Sequence, residues 1–377
     1  MDIKKAYRSI VLLIKRLRNI LIPVLRYEDP GAGHDKLSVV FIGWDRKLRN
    51  YWLQRVFGND FILKKRVFLP PERLSNYLSV HRSDADLAIV EVPDPHKELN
   101  VGQSFILPNW MEFVMDLEEA FKKLRIKEIL RRIRKYDIDY ELRDQRKDLD
   151  FFYHRMYKPL IRKNHGNAAE LARYGYFYSK FKENRLEIMF LRSEGKILAG
   201  SILEKGNGLN RILAFGVLDG SIEIIKTGVH AAAYYFTMQK LMEQGHKKML
   251  CGSSMPAPLD GVTQFKLRMG AKPYLKDLSG RKKYRVVLLN PSQRVLRVMK
   301  DNPLYYLSGE NLKLAAFMDG DEFQQPKEFN RYLKLISSEH VDTTECYILD
   351  NKNKLEHWIR QGEVPRVELI DYETVVG

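Results

Sequence analysis

The stretch CGSSMPAPLDGVTQFKLRMGAK, from Cys251 to Lys272, places small polar residues after an apolar run and breaks at two prolines. It then enters a helical pattern with Asp260, Lys266 and Arg268. Such a rim suits two kinds of chemistry. An ammonium on a helix that faces a strand-to-helix crossover can hold a substrate phosphate or a developing oxyanion, the role suggested for Lys266. A carboxylate in the preceding loop can accept a proton, although Asp260 just ahead of Gly261 and a helix also suits an N-terminal cap. Nucleophilic chemistry is not indicated. Ser253 and Ser254 lack the context of a nucleophile elbow, and Cys251 ends a buried run where a thiol is ordinarily inert.

The elements around this stretch follow from its neighbours. LEIMFLRSEGKILAGSILEKGNGLNRILAFGVLDG offers three strand-like runs separated by turns at Glu194-Gly195 and Gly206-Asn207-Gly208, an antiparallel meander. VHAAAYYFTMQKLMEQG predicts a helix from Val229 closed by Gly245, HKKMLCGSS a buried strand, GVTQFKLRMG a short helix and KKYRVVLLN another strand. Upstream, Asp116 to Tyr136 reads as helical and basic, and DLDFFYHRMYKPLIRKNHG as an aromatic helix ending at Gly166. Such a basic run is either a solvated face or a positive wall for a phosphate-bearing ligand. Closer to the N-terminus, LSVVFIGW, FILKKRVFL and ADLAIVEVP read as strands alternating with two helices. No glycine-rich turn joins the first strand to its helix, so a dinucleotide site is not expected there. Beyond Asn290, alternating helical and strand-like runs predict a further α/β segment.

The chain has 377 residues, enough for two or three domains, and 45% of them are hydrophobic, which excludes disorder. Its formal net charge of +16 favours anionic partners such as phosphates, lipid headgroups or nucleic acid. Two cysteines, Cys251 and Cys346, form neither a disulfide framework nor a metal-ligand spacing, which points to a reducing, cytoplasmic setting. Between Ile3 and Arg26, Ile3, Tyr7, Ile10, Ile14, Leu17 and Leu21 make one apolar stripe flanked by Lys and Arg, without an acid. That stripe either docks on the protein or lies on an anionic membrane surface; its longest apolar run is too short to span a bilayer.

The order of meander, helix, strand, helix and strand resembles the core of the GNAT acyltransferase superfamily. FYHRMYKPLIRKNHG, GKILAGSILEKGNG, the long helix ending EQG, and CGSS followed by DGVTQFKLRMGAK are similar to its FemAB-like branch, with Phe265, Lys266 and Gly270 matching a Phe-Lys and later Gly pattern. The resemblance covers roughly residues 117–289. It implies transfer of an acyl group, from acyl-CoA such as acetyl-CoA, to an amine of a cell-envelope or polysaccharide precursor that carries phosphate or sugar. A donor with a phosphate tail needs backbone amides at a helix start, which makes Lys226, Thr227, Gly228 and Val229 the expected cofactor-binding turn. Of the superfamily's pyrophosphate loop only Gly228 matches, with Ile225 and His230 at the outer positions; a charged-tRNA donor in peptidoglycan precursor synthesis is therefore a second expectation. A non-catalytic module that binds an anionic polymer or membrane is the third.

The attacking amine must lose a proton, so the expected catalytic residues are Lys266, Asp260, His230 and, for a thiolate leaving group, Tyr274, with Glu187 and Glu204 as further carboxylates. No metal and no sequence-specific DNA binding are expected. The expected class is α/β with mixed sheets, a GNAT-like core flanked by α/β segments. Its expected divisions are 1–30, a basic amphipathic helix; 31–115, an N-terminal α/β domain that could be a degenerate GNAT-like one; 116–290, the acyltransferase domain; and 291–377, a C-terminal α/β appendage. The expected location is the cytoplasm or the inner membrane face.

Overall fold

The computed structural model describes residues 20–30, 36–92, 102–123, 126–165, 171–206, 209–275, 282–290, 292–337, 341–350, 352–361 and 366–372. The apolar stripe of residues 3–26 falls largely outside them. Its C-terminal end is not helical: Ile22–Glu28 is a strand, hydrogen-bonded antiparallel to both Ser38–Ile42 and Ile62–Leu69. Pro23 cannot donate to a helix interior, and Ile22, Val24 and Leu25 are buried in the sheet instead.

The chain forms two units. One comprises Met1–Trp110, Met255–Asp260 and Asp277–Gly377, and the other Met111–Ser254 and Gly261–Lys276. This replaces the four expected divisions. The first unit holds a ten-stranded mixed sheet in which Lys283–Leu288 lies antiparallel between Leu87–Val92 and Gln103–Pro108, while Leu304–Ser308 joins at Leu307 opposite Ile106. The strand KKYRVVLLN, expected to close the acyltransferase core, thus belongs here, and the C-terminal segment is no appendage. Apolar residues line both sheet faces, with Trp52, Phe105, Tyr284 and Phe317 on one and Val40, Ile42, Leu78 and Val287 on the other.

The second unit carries a seven-stranded sheet. Its order is Lys272–Pro273, Met111–Asp116, Lys248–Ser254, Asn210–Val217, Lys196–Glu204, Leu186–Ser193 and Ile138–Arg143. The meander from Leu186 to Val217 forms as its turn signals indicate. Strand alternation sends successive side chains to opposite faces. Ile188 and Phe190 pack with Phe152 and Met156 of the aromatic helical segment and with Phe177 of the helix Tyr174–Lys182, whereas Met189 meets Thr237 of the long helix Val229–Glu243. The aromatic segment lies very close to the sheet at Gly216, where a Cβ would stand 2.6 Å from Tyr157 N and 2.7 Å from Met156 C. Gly216→Ala is therefore expected to destabilise the protein by about 1–3 kcal/mol through overpacking against backbone, read as a lower urea midpoint.

Candidate active site

The site is built where two neighbouring strands part. Asn210–Val217 and Lys248–Ser254 run parallel and pair at Asn210 with Met249 and at Arg211 with Leu250. Just past these pairs each strand shifts register against its outer neighbour, one between Ile212 and Ala214 and the other between Leu250 and Ser253. Gly252 sits within the second shift at φ +75, a left-handed conformation that glycine adopts without strain. Bulges bend strands and end pairing, so two of them side by side account for the opening.

Side chains from two helices and three strands meet at this opening. Lys266, 3% exposed, projects from the helix Gly261–Arg268; its Nζ donates to Gly252 O at 2.7 Å and lies 5.2 Å from the Phe113 ring centroid. It is thus no surface lysine of a helix. His230, in the first turn of the long helix, is stacked between Phe215 and Phe265 at centroid distances of 4.2 and 4.1 Å. Its residue surface is half-buried, but both ring faces are covered, and this desolvation, aided by the Lys266 charge, lowers its pKa to about 4. The imidazole is neutral at physiological pH. Tyr234 donates to Cys251 O at 3.4 Å, while burial pushes the Cys251 thiol up to about 12, which leaves it unreactive.

Glu112 completes the cluster and was not singled out from the sequence. It is 1% exposed on the strand Met111–Asp116, accepts from Ser253 Oγ at 3.2 Å and pairs with Arg211 Nη2 at 3.3 Å. Its signal was an acid inside the apolar run WMEFVMD, a stretch not read as a strand because it follows an irregular, proline-containing segment.

The expected donor turn lies at the junction of the helices Ile222–Lys226 and Val229–Glu243. Gly228, at φ +89 and ψ 16, caps the long helix, whose first turn begins at the buried Val229. Thr227 and Gly228 amides are already used by Ile224 O and Ile225 O, and Thr227 Oγ1 donates to Ile224 O at 2.7 Å, so these two residues close the preceding helix Ile222–Lys226. The Lys226 ammonium is exposed and paired with Glu223. The cation beside the turn is Arg132, from the basic helix Ile126–Lys135, whose Nη1 donates to Lys226 O at 3.1 Å and whose Cδ would lie 2.7 Å from a Cβ at position 228. In the sequence Arg132 is one member of a basic run, and nothing local reveals which arginine of a helix reaches a turn some ninety residues away.

The remaining expectations are not gathered here. Asp260 belongs to the first unit, where it is ion-paired with Arg55 at 3.0 Å. Tyr274 reaches the cluster through its backbone, its N–H donating to Glu112 O at 2.8 Å. Glu187 and Glu204 lie toward the closed end of the strand pair, ion-paired with Lys240 and with Lys180 and Arg185. Among the described residues no cluster of His, Cys, Asp and Glu could hold a metal, and no helix is long and apolar enough to cross a membrane.

No protein-family model matches the chain, and no curated protein matches it. Solved structures to which it is similar include FemX, at 12% identity over 71% of this chain and 89% of that one with a TM-score of 0.37. L-PGS from Bacillus licheniformis is similar at 15% identity over 74% and 83% with a TM-score of 0.33. A GCN5-related N-acetyltransferase from Kribbella flavida is similar at 8% identity over 80% and 64% with a TM-score of 0.29.

Proposed function

We propose that this protein is an N-acyltransferase of the GNAT, FemAB-like type, which moves an acyl group from acyl-CoA to an amine of a cell-envelope or polysaccharide precursor. The observation that carries the reading is the parting of two parallel central strands at paired bulges, where Lys266 meets Gly252 and where Phe215 meets His230 of the helix that opens on a left-handed glycine. An acyl-thioester can enter such an opening with its carbonyl between the strands. The helix-opening amides and Arg132 suit the phosphate end of that donor, since unpaired N–H groups and the helix dipole both favour an anion.

In this reading the amine attacks the thioester carbonyl, a C–N bond forms, and the C–S bond breaks as the thiolate leaves. The neutral His230 imidazole can accept the amine proton, and the Lys266 ammonium can meet the negative charge that develops on the carbonyl oxygen. Asp260, held by Arg55, is not assigned the base role. Tyr274 remains a proposed proton source for the thiolate.

A charged-tRNA donor is the second reading, favoured by the basic helix that carries Arg131, Arg132, Arg134 and Lys135 beside the donor turn. Gly228→Asp separates them. It adds bulk at a position of positive φ and a negative charge beside the helix start, so coenzyme A affinity is expected to fall by more than about tenfold in calorimetry. Unchanged coenzyme A binding in the variant would remove Gly228 from the donor site; in the unaltered protein, binding of charged tRNA alone would favour the second reading, and binding of neither would favour a non-catalytic module.

A further inference from the structure

The strand Ile62–Leu69 is the last on one side of the ten-stranded sheet and pairs antiparallel with Ile22–Glu28 on its inner side. A strand over a core buries alternate residues, and Val67 and Leu69 do pack on the core that holds Val24 and Val40. Its other apolar side chains do not follow that rule. Phe61, just before the strand, and Ile62, Leu63 and Phe68 within it are 39–47% exposed. Ile62 and Leu63 are consecutive and so point to opposite faces, yet both meet solvent. Trp44, also exposed, extends this surface with its ring centroid 6.1 Å from that of Phe68.

Lys64, Lys65 and Arg66 lie between those apolar residues, all exposed, and none of the three is ion-paired among the described residues. Lys65 Nζ rests 5.9 Å from the Tyr77 ring centroid. From Gly58 to Leu69 the single acid is Asp60, while Glu28 and Asp84 on neighbouring elements are engaged by Arg26. Cations on an edge strand, and a register shift such as the one opposite them between Arg26 and Tyr27, guard against strand addition by another chain. A second copy pairing here would bring its own three cations against these. That guarding role accounts for the charges and leaves the exposed apolar side chains unexplained. Nucleic acid would engage the cations and the aromatic rings but offers nothing to Ile62 and Leu63. An anionic bilayer surface meets both sets, with phosphates for the cations and the headgroup-acyl boundary for the apolar side chains.

We propose that the edge from Phe61 to Phe68 docks on an anionic lipid bilayer, with Lys64, Lys65 and Arg66 at the phosphates and Phe61, Ile62, Leu63 and Phe68 entering below them. The inference does not depend on the acyl donor or on the acyl-transfer reading. The test is co-sedimentation of the full chain with vesicles of phosphatidylglycerol mixed with phosphatidylcholine, and with vesicles of phosphatidylcholine alone. Binding is expected to the first and not the second, and to weaken as salt rises. The triple change Lys64→Gln, Lys65→Gln, Arg66→Gln and the double change Ile62→Ser, Phe68→Ser are each expected to weaken binding about tenfold or more. The basic residues between Ile3 and Arg26 are present in all of these proteins alike, so the differences read this edge alone. An unchanged melting temperature shows that a variant is folded. A further reading is independent of those variants: Cys251 and Cys346 are buried, so an environment-sensitive fluorophore attaches selectively to Ile62→Cys. Its emission should shift to the blue with the anionic vesicles only. No binding of the unaltered chain to anionic vesicles, undiminished binding by both folded variants, or an unshifted fluorophore overturns the proposal.

Discussion

Lys266→Met is expected to lower turnover by about 10²–10³ with little change in the acceptor KM, the signature of losing a donor that acts on charge formed only in the transition state. The expectation follows from where the ammonium sits. It is buried at the point where the strands part, and its hydrogen bond to Gly252 O holds it against the carbonyl-bearing edge of the opening. Methionine keeps most of the side-chain volume and removes the charge, so packing against Phe113 survives. A purely structural Lys266 predicts the opposite division: losing its bond to Gly252 would cost about 1–3 kcal/mol of stability, visible as a lower melting temperature, while the folded fraction kept its turnover. Measuring kcat, KM and thermal unfolding on the same preparation separates the two. Full turnover in a folded Lys266→Met variant would exclude Lys266 from catalysis.

Stability is expected to fall as pH is lowered from about 6.5 to about 4, and His230→Phe should remove that component. An unfolded histidine titrates near 6.5, whereas His230 in the folded chain titrates at about 4 because its ring is desolvated between Phe215 and Phe265 with Lys266 nearby. Within that window the unfolded state binds the extra proton, so folding weakens as pH falls; below the folded pKa both states are protonated and the contribution ends. The effect is on the order of 2 kcal/mol once screening at the partly exposed ring edge is allowed for. Phenylalanine preserves the stack and does not titrate, so urea unfolding across the window should show a shallower pH slope in the variant. An identical slope would mean that other groups carry the acid sensitivity. Phenylalanine also cannot accept a proton, and loss of acyl transfer with stability retained at pH 7 would support the proposed proton-accepting role.

Local pattern alone determined much of this protein. The meander from Leu186 to Val217, the long helix from Val229, the buried strand through Cys251 and the short helix carrying Lys266 all follow from apolar periodicity and from glycine at turns, which act over a few residues. Gly228 as a helix-opening residue and Cys251 as an inert thiol belong to the same class of inference, because each depends on its immediate neighbours. Tertiary structure decided what lies beside what. Pairing of Lys283–Leu288 with Leu87–Val92 and Gln103–Pro108 joins segments about two hundred residues apart, and no periodicity encodes a partner at that distance. The same holds at the site: Glu112 reaches Ser253 only because Met111–Asp116 lies beside Lys248–Ser254, and Arg132 reaches Lys226 O only because two helices pack together. Asp260 and Lys266 stand six residues apart, yet one pairs with Arg55 in the first unit and the other bonds Gly252 in the second. Side-chain chemistry is written residue by residue, but which groups share a low-dielectric space, and so which pKa values move and which charges can act, is set by long-range packing.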